Sequence, residues 1–208
     1  MRLTGTRVAL LGAVLGLAGT TVASDADASV SVAVLFDSLV AESASVDVVT
    51  AAEAHAVWQD GRIYTYTRVH VDTAVAGTLT GGSDVWVQTM GGEIGEIGQQ
   101  VEGEAVLVPG KSSMLFLKPA QSGTFVVSAR GQGQFPVRLD PATRVAKVNR
   151  NRVAGMLLAP RPGAVARAQA LAPSVTVAAL PAAEVLDEKS VDDAAKEVRS
   201  AWKRTHAP

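Results

Sequence analysis

Apolar and polar positions alternate most regularly between Val46 and Val75, where VDVVTAAEAHAVW and RIYTYTRVHVDTAV flank Gln59-Asp60-Gly61-Arg62. Period-two alternation marks a strand with one buried face. Asp-Gly between two such runs marks a type I′ hairpin turn, whose two central residues both need positive φ. With Asp60-Gly61 at the turn, Gln59 faces Arg62, Trp58 faces Ile63, Val57 faces Tyr64, His55 faces Tyr66 and Ala51 faces His70. One face then carries Val46, Val48, Trp58, Ile63, Val69 and Val71, with Thr65 and Thr67 between them, and is expected to be core. The other carries His55, Val57, Tyr64, Tyr66, Arg68 and His70.

The same pattern continues on either side. Ser31–Ser43 places Val32, Phe36, Leu39, Val40 and Ser43 on one helical side and Asp37 and Glu42 on another, which predicts a short amphipathic helix. Val34 and Leu35 fall off that stripe, and a strand is the alternative. After the hairpin, Ser83–Met90 alternates as a third strand, with Val85, Val87 and Thr89 on one side. Gly91–Glu104 carries five glycines and four glutamates and reads as a long loop. A strand at Ser113–Lys118 follows the Pro109-Gly110 turn. Two short strands, within Gly123–Arg130 and at Gln134–Leu139, are joined by Gly131-Gln132-Gly133. Five or six antiparallel strands in about 95 residues is the range of a small barrel or sandwich.

Past Asp140 the pattern fades. RVAKVNRNRVAGMLLAP is basic, with room for one strand or a short helix, and the Ala/Pro-rich stretch after it reads as an arm or linker. SVDDAAKEVRSAWKR is helical, with Ser190 as N-cap, acids in its first turn, Lys203 and Arg204 in its last, and Val191, Ala195, Val198 and Trp202 as apolar stripe. A helix with so narrow a stripe is marginal alone and needs a surface to dock on.

Composition adds exclusions. Lys+Arg of 19 against Asp+Glu of 20 removes the electrostatic case for nucleic acid. The chain has no cysteine, so disulfides, thiolate catalysis and Cys-ligated metals are out. At the N-terminus, Arg2 and Arg7 precede the apolar run Val8–Gly19 and small residues, the pattern of a cleaved signal peptide ending at Ser24 or Ala28. That run is shorter than the roughly 20 residues a spanning helix needs, so export without a membrane span is expected, to the periplasm, cell envelope or medium.

Candidate chemistry is sparse. Ala105–Ser112 fits a loose phosphate-loop pattern, but its interior is Val-Leu-Val-Pro and a strand-like run follows where a helix is required, so the match is rejected. Glu93, Glu96, Glu102 and Glu104 in the Gly-rich loop offer oxygen ligands, yet the calcium-loop spacing is missing and solvated acids are the simpler reading. His55 and His70 share a face but lie about four positions apart along the register, and neither an H-E-x-x-H nor a G-x-S-x-G motif exists. No catalytic set, metal or cofactor is implied. Tyr64, Tyr66 and Arg68, with Trp86, form the other candidate surface, an amphipathic aromatic face.

The block from Val46 to Val137 resembles an uncharacterised family of exported bacterial proteins. The resemblance rests on Trp58 with Asp60-Gly61-Arg62-Ile63-Tyr64-Thr65, Met90-Gly91-Gly92, Ile97-Gly98-Gln99, Val101-Glu102-Gly103, Pro109-Gly110, Leu115-Phe116-Leu117 and Gly131-Gln132-Gly133-Gln134-Phe135. More distantly, the order of hairpin, third strand, Gly-rich loop and LFL strand resembles the OB-type barrel of netrin and metalloprotease-inhibitor modules. The inhibitory mechanism of those modules needs cysteines that this chain lacks. The expected organisation is a signal peptide over 1–28, a mainly β domain over 29–140, an arm or linker over 141–182 and a C-terminal helix over 183–208. The domain is expected to be a small antiparallel OB-like barrel with a short leading helix, a β-sandwich being the alternative. The expected function is a non-catalytic binding or accessory module, with a secreted or envelope protein as partner. A protease inhibitor or partner is the second reading, and an enzyme with an unrecognised site the third.

Overall fold

The computed structural model describes residues 30–120, 123–171 and 179–206. The expected signal segment and both cleavage points lie outside these. The chain begins with β1 (Val30–Val32) and α1 (Phe36–Ala41), then runs through β2 (Ser45–Gln59), β3 (Arg62–Gly77) and β4 (Asp84–Met90). A small hairpin, β5 (Gly92–Ile94) and β6 (Ile97–Gln99), precedes β7 (Ser112–Pro119) and β8 (Phe125–Val127). A 3-10 turn at Arg130–Gly133 leads to β9 (Gln134–Leu139), β10 (Ala146–Val148) and β11 (Met156–Leu158). Helices α2 (Pro162–Leu171), α3 (Ala182–Leu186) and α4 (Val191–Thr205) complete the described chain.

Five strands close a barrel. β2, β3 and β4 form an antiparallel meander, β8 joins β4 in parallel through Val87↔Phe125, and β7 pairs antiparallel with both β8 and β2. This closed strand order is OB-like, and the closure removes the sandwich alternative. β9 and β10 extend the sheet from the other half of the β7 edge.

The hairpin turns where its sequence dictates, with Asp60 at φ 52° and Gly61 at φ 75°. The expected pairs hold from Gln59↔Arg62 to Glu53↔Arg68. A bulge between Ala51 and Glu53 then slips the register, so His70 faces Thr50 instead of Ala51. Bulges bend and coil a strand, and a ribbon of 15 and 16 residues needs that curvature to wrap into a barrel.

Two apolar layers result. Inside the barrel lie Val49, Ala51, Val69, Val71, Val87, Leu115, Leu117 and Val127, plugged by Ala105 and Leu107 of the β6–β7 connection. Outside it, Val46, Val48, Met114, Phe116 and Phe135 meet Phe36, Leu39 and Val40 of α1 and Val185, Leu186, Ala195 and Val198 of α3 and α4. Met114, Leu115, Phe116 and Leu117 are all fully buried because β7 is covered on both faces, which is why its sequence runs apolar without alternation.

Several expectations need correction. Trp58 is 59% exposed rather than core, because β2 loses its β7 neighbour beyond Thr50 and the β5–β6 hairpin, through Gly92 and Gln99, packs on Ile63 and leaves Trp58 opposite it uncovered. Val32 lies in β1, ahead of the helix, and part of the Gly91–Glu104 loop is the β5–β6 hairpin. Within 141–182, β10 pairs with β9 and β11 pairs in parallel with β1, so that stretch is tied down at two places. The C-terminal region holds two helices, α3 and α4, separated by a turn with Glu188 at φ 60°. Ser190 does cap α4, accepting from the Asp193 N–H at 3.1 Å. The buried stripe of α4 is Ala194, Ala195, Val198 and Ala201, with Val191 and Trp202 at its margins; its small residues let the helix lie close to the barrel.

Candidate ligand cleft on the barrel wall

The outward residues of β3 and β4 meet in cross-strand pairs: Tyr64 with Met90, Tyr66 with Gln88, and Arg68 with Trp86. Much of this face satisfies itself. Gln88 Nε2 donates to the Tyr66 hydroxyl at 3.0 Å, His55 stacks on the Tyr66 ring at 5.7 Å, and the same imidazole meets Trp86 edge-on at 5.0 Å. Arg68 donates to Glu53 at 2.7 Å and to Asp84, whose other oxygen lies 2.7 Å from His70 Nδ1. Hydrogen bonds from His70 and then Arg68 hold the Asp84 carboxyl below its ordinary range, and Glu53 and Asp84 raise the guanidinium in return. Arg68 is thus neutralised twice over. Neither His55 nor His70 has a hydroxyl nucleophile within hydrogen-bond reach among the described residues.

Tyr64 differs. Its hydroxyl takes part in none of these bonds, and its ring lines an open cleft of about 640 Å³. The opposite wall comes from Glu102 and Glu104 of the Gly-rich segment, Lys118 near the end of β7 and Arg130 of the turn after β8, with Gln88, Met90 and Val126 as floor. Glu104 is only 7% exposed. Its carboxylate accepts from the Ala105 N–H at 3.2 Å and lies 3.9 Å from Arg130 Nε. Burial pushes its pKa up, against the Ala105 N–H and the Arg130 charge.

Close backbone contact builds this wall. The Gly131 N–H donates to Gly103 O at 2.9 Å, and a Cβ on Gly131 would sit 2.9 Å from that oxygen. At Gly133 a Cβ would fall 2.0 Å from Ser128 O. Ala129 and Arg130 both adopt left-handed backbone, φ 52° and 54°, an uncommon conformation for side chains with a Cβ. The two glutamines of the Gly-Gln-Gly-Gln run act as backbone clamps. Gln132 accepts from the Val34 N–H and donates to Val32 O, while Gln134 accepts from the Val106 N–H at 2.9 Å and donates to Val106 O at 2.7 Å.

Of the residues picked out by sequence, Tyr64, Glu102 and Glu104 therefore share one cleft. Tyr66 and Arg68 lie beside it, engaged in the face network. Glu93 borders a neighbouring cleft of about 590 Å³ that also takes in Glu102 and Glu104, and Glu96 is exposed on the β5–β6 tip and lines neither cavity. No group of three or more metal-ligating side chains forms among the described residues. Arg130, Gln132 and Lys118 escaped the sequence reading; the only signal was the G-x-G spacing, taken there as a connecting turn. The rejected phosphate-loop match leads into strand β7, and its Gly110 N–H is spent on Ala51 O at 2.7 Å.

A scan against protein-family models finds no match, and searches of curated proteins and of solved structures find no significant match.

Proposed function

We propose that this protein is a non-catalytic binding module of the cell envelope or extracellular space, and that its ligand lies in the Tyr64–Glu102–Glu104 cleft. The observation that carries the reading is the convergence itself. The aromatic hairpin face and the acidic Gly-rich loop, separate in sequence, line one open cavity of a size suited to a ligand. In OB-type barrels the outer face of the second and third strands is a common ligand platform, and here those strands are β3 and β4.

The lining narrows the ligand's chemistry. Tyr64, Met90 and Val126 offer an apolar floor, Glu42, Glu102 and Glu104 supply acceptors, and Lys118 and Arg130 provide the only positive charge. Such a mixture disfavours polyphosphate and suits an extended peptide segment of another exported protein, with apolar side chains and free N–H donors. Tyr64 and Glu102 make no hydrogen bond to Glu104 or Arg130, so replacing them leaves the wall intact.

The test is affinity capture from envelope and culture-medium fractions with the wild-type chain and with a Tyr64→Ala, Glu102→Lys variant. A partner retained by the wild type and lost by the variant, at unchanged melting temperature, supports the reading. Equal capture by both places the binding surface elsewhere.

A further inference from the structure

Beyond the barrel the long hairpin has one bare edge. β7 covers the outer edge of β2 only as far as Thr50, and from Glu53 to Gln59 no strand among the described residues pairs with β2 except β3. The direction of the backbone groups there follows from Ile63. Its N–H donates to Gln99 Oε1 at 2.6 Å and its carbonyl accepts from the Gly91 N–H at 2.8 Å, both away from β2. Trp58 and Ile63 are therefore a non-hydrogen-bonded pair, and alternation turns the N–H and C=O of Trp58, Ala56 and Ala54 out along the bare edge. Nearer the barrel the same edge is in use: Ala51 donates to Lys111 O at 3.0 Å and accepts from the Gly110 N–H at 2.7 Å. Between Glu53 and Gln59 there is no lysine, proline or bulge, the usual devices against strand addition.

The side chains select the strand that fits. The regular edge is bounded by the bulge at Ala51–Glu53 and by the turn at Asp60, and its midpoint is Ala56. An antiparallel second copy with its two-fold axis at Ala56 sets Ala56 against Ala56, Ala54 against Trp58 and Glu53 against Gln59. Outward groups then meet outward groups, in about six backbone hydrogen bonds. Moving the axis to His55 or Val57 runs the pairing into the bulge or the turn. Each Trp58 indole, 59% exposed in the single chain, lies over the exposed Ala54 of the second copy. Glu53, the one charge in this stretch, is already ion-paired with Arg68 at 2.7 Å and faces a neutral glutamine.

We infer that the Glu53–Gln59 edge of β2 is a self-pairing surface, through which two copies of this chain join by antiparallel strand addition. The junction is one strand wide, below the roughly 1,200–2,000 Å² that stable complexes bury. The dimer is therefore weak, and the single chain is the species in dilute solution. The inference rests on the β2 edge alone and is independent of what the cleft binds.

Sedimentation of the full chain over a rising concentration series tests it. The weight-average mass is expected to climb from that of one chain toward that of two. Ala54→Pro removes an outward N–H without touching the β3 ladder, and Trp58→Ser removes the indole. Each is expected to weaken association by roughly tenfold, at unchanged melting temperature in dilute solution. Because the chain has no cysteine, Ala56→Cys reports the register. Cα atoms across a hydrogen-bonded pair lie about 5.5 Å apart, within disulfide reach. Mild oxidation should therefore link two copies far faster at Ala56→Cys than at Arg62→Cys on the turn. Three outcomes overturn the proposal: a chain that stays monomeric throughout the series, as it does if the edge takes a strand from another protein instead; association that both edge variants leave intact, which puts the contact on another surface; or equal cross-linking at positions 56 and 62.

Discussion

Arg204 and Asp37, 167 residues apart in sequence, form a two-point ion pair: Arg204 Nε donates to Asp37 Oδ2 at 3.1 Å and Nη2 donates to Oδ1 at 2.8 Å. The pair joins the last turn of α4 to the first turn of α1, the ends at which each helix dipole favours that charge. Both side chains are largely shielded, at 26% and 14% exposure, so screening by water is weaker than at a surface pair. Replacing either residue by Ala is expected to destabilise the fold by about 2 kcal/mol. Arg204→Lys should recover only part of that, because an ammonium cannot make both parallel bonds. Urea denaturation of the two single variants and the double variant checks this; additive losses in the cycle would show that the pair is not coupled.

Asp47 gives the fold a pH dependence of unusual sign. The residue is fully buried, its Oδ2 accepts from the Ser45 hydroxyl at 2.7 Å, and its Oδ1 has no partner. Burial raises its pKa from 3.8 to about 6, and the Ser45 hydroxyl and Val75 backbone offset this only in part. The folded state therefore holds a proton that the unfolded chain has released, so this contribution is complete below about pH 4 and is lost as pH rises through about 6. At about 1.4 kcal/mol per pH unit of displacement, the loss is about 3 kcal/mol. Asp47→Asn keeps the shape without the charge. The stability difference between variant and wild type should grow in the variant's favour between about pH 4 and 6 and level off above, and a flat difference across that range would show that Asp47 titrates normally.

Thr67 carries the other unpartnered buried oxygen found among the described residues, its Oγ1. The side chain lies on the inner face of β3, between Ile63 and Val69 in the run of core positions. Valine has nearly the same shape and no hydroxyl to desolvate. Thr67→Val is expected to stabilise the protein by about 1 kcal/mol, read as a raised melting temperature.

The strand plan was legible because it is local. Alternation and an Asp-Gly turn name the hairpin and most of its register, and β4, β7 and β9 follow from the same arithmetic. What escaped is whatever depends on a second layer. Trp58 alternates in phase with Ile63 and stands opposite it, yet only the Ile63 side chain is covered. Nothing in the pattern says where β7 stops, and the bulge at Ala51–Glu53 leaves no signature of its own. The cleft was half legible: Tyr64, Glu102 and Glu104 drew notice by residue type, but their meeting depends on barrel closure. The clamping role of Gln132 and Gln134 was invisible because a side chain that replaces a strand's backbone pairing has no periodicity.

That contrast within one cross-strand pair can be measured. Ile63→Ala removes a fully buried side chain and should cost about 2–5 kcal/mol. Trp58→Ser, directly opposite, should change stability by no more than about 0.5 kcal/mol, as surface substitutions do. Chemical denaturation of both variants reads the difference. A loss of several kcal/mol from Trp58→Ser would mean that the hairpin tip is covered in solution.

The two glutamine clamps differ in burial, and that difference should decide what their loss does. Gln134 is 4% exposed and holds both backbone groups of Val106, while its Oε1 also accepts from Asn151 Nδ2 at 2.8 Å. Gln134→Ala strips the partner from the buried Asn151 amide and from both part-buried backbone groups of Val106, and each stranded buried group costs about 1–3 kcal/mol. A loss of about 3 kcal/mol is expected, with faster amide exchange at Val106 and through the Ala105–Leu107 plug of the barrel. Gln132 is half-exposed and holds only the Val32–Val34 segment. Gln132→Ala should therefore cost about 1 kcal/mol or less and speed exchange at Val34 and along β1 while leaving Val106 protected. Hydrogen exchange on the two variants separates a clamp that seals the barrel from one that fastens its outer ribbon. If both variants loosened the same amides, the two glutamines would be parts of a single cooperative unit.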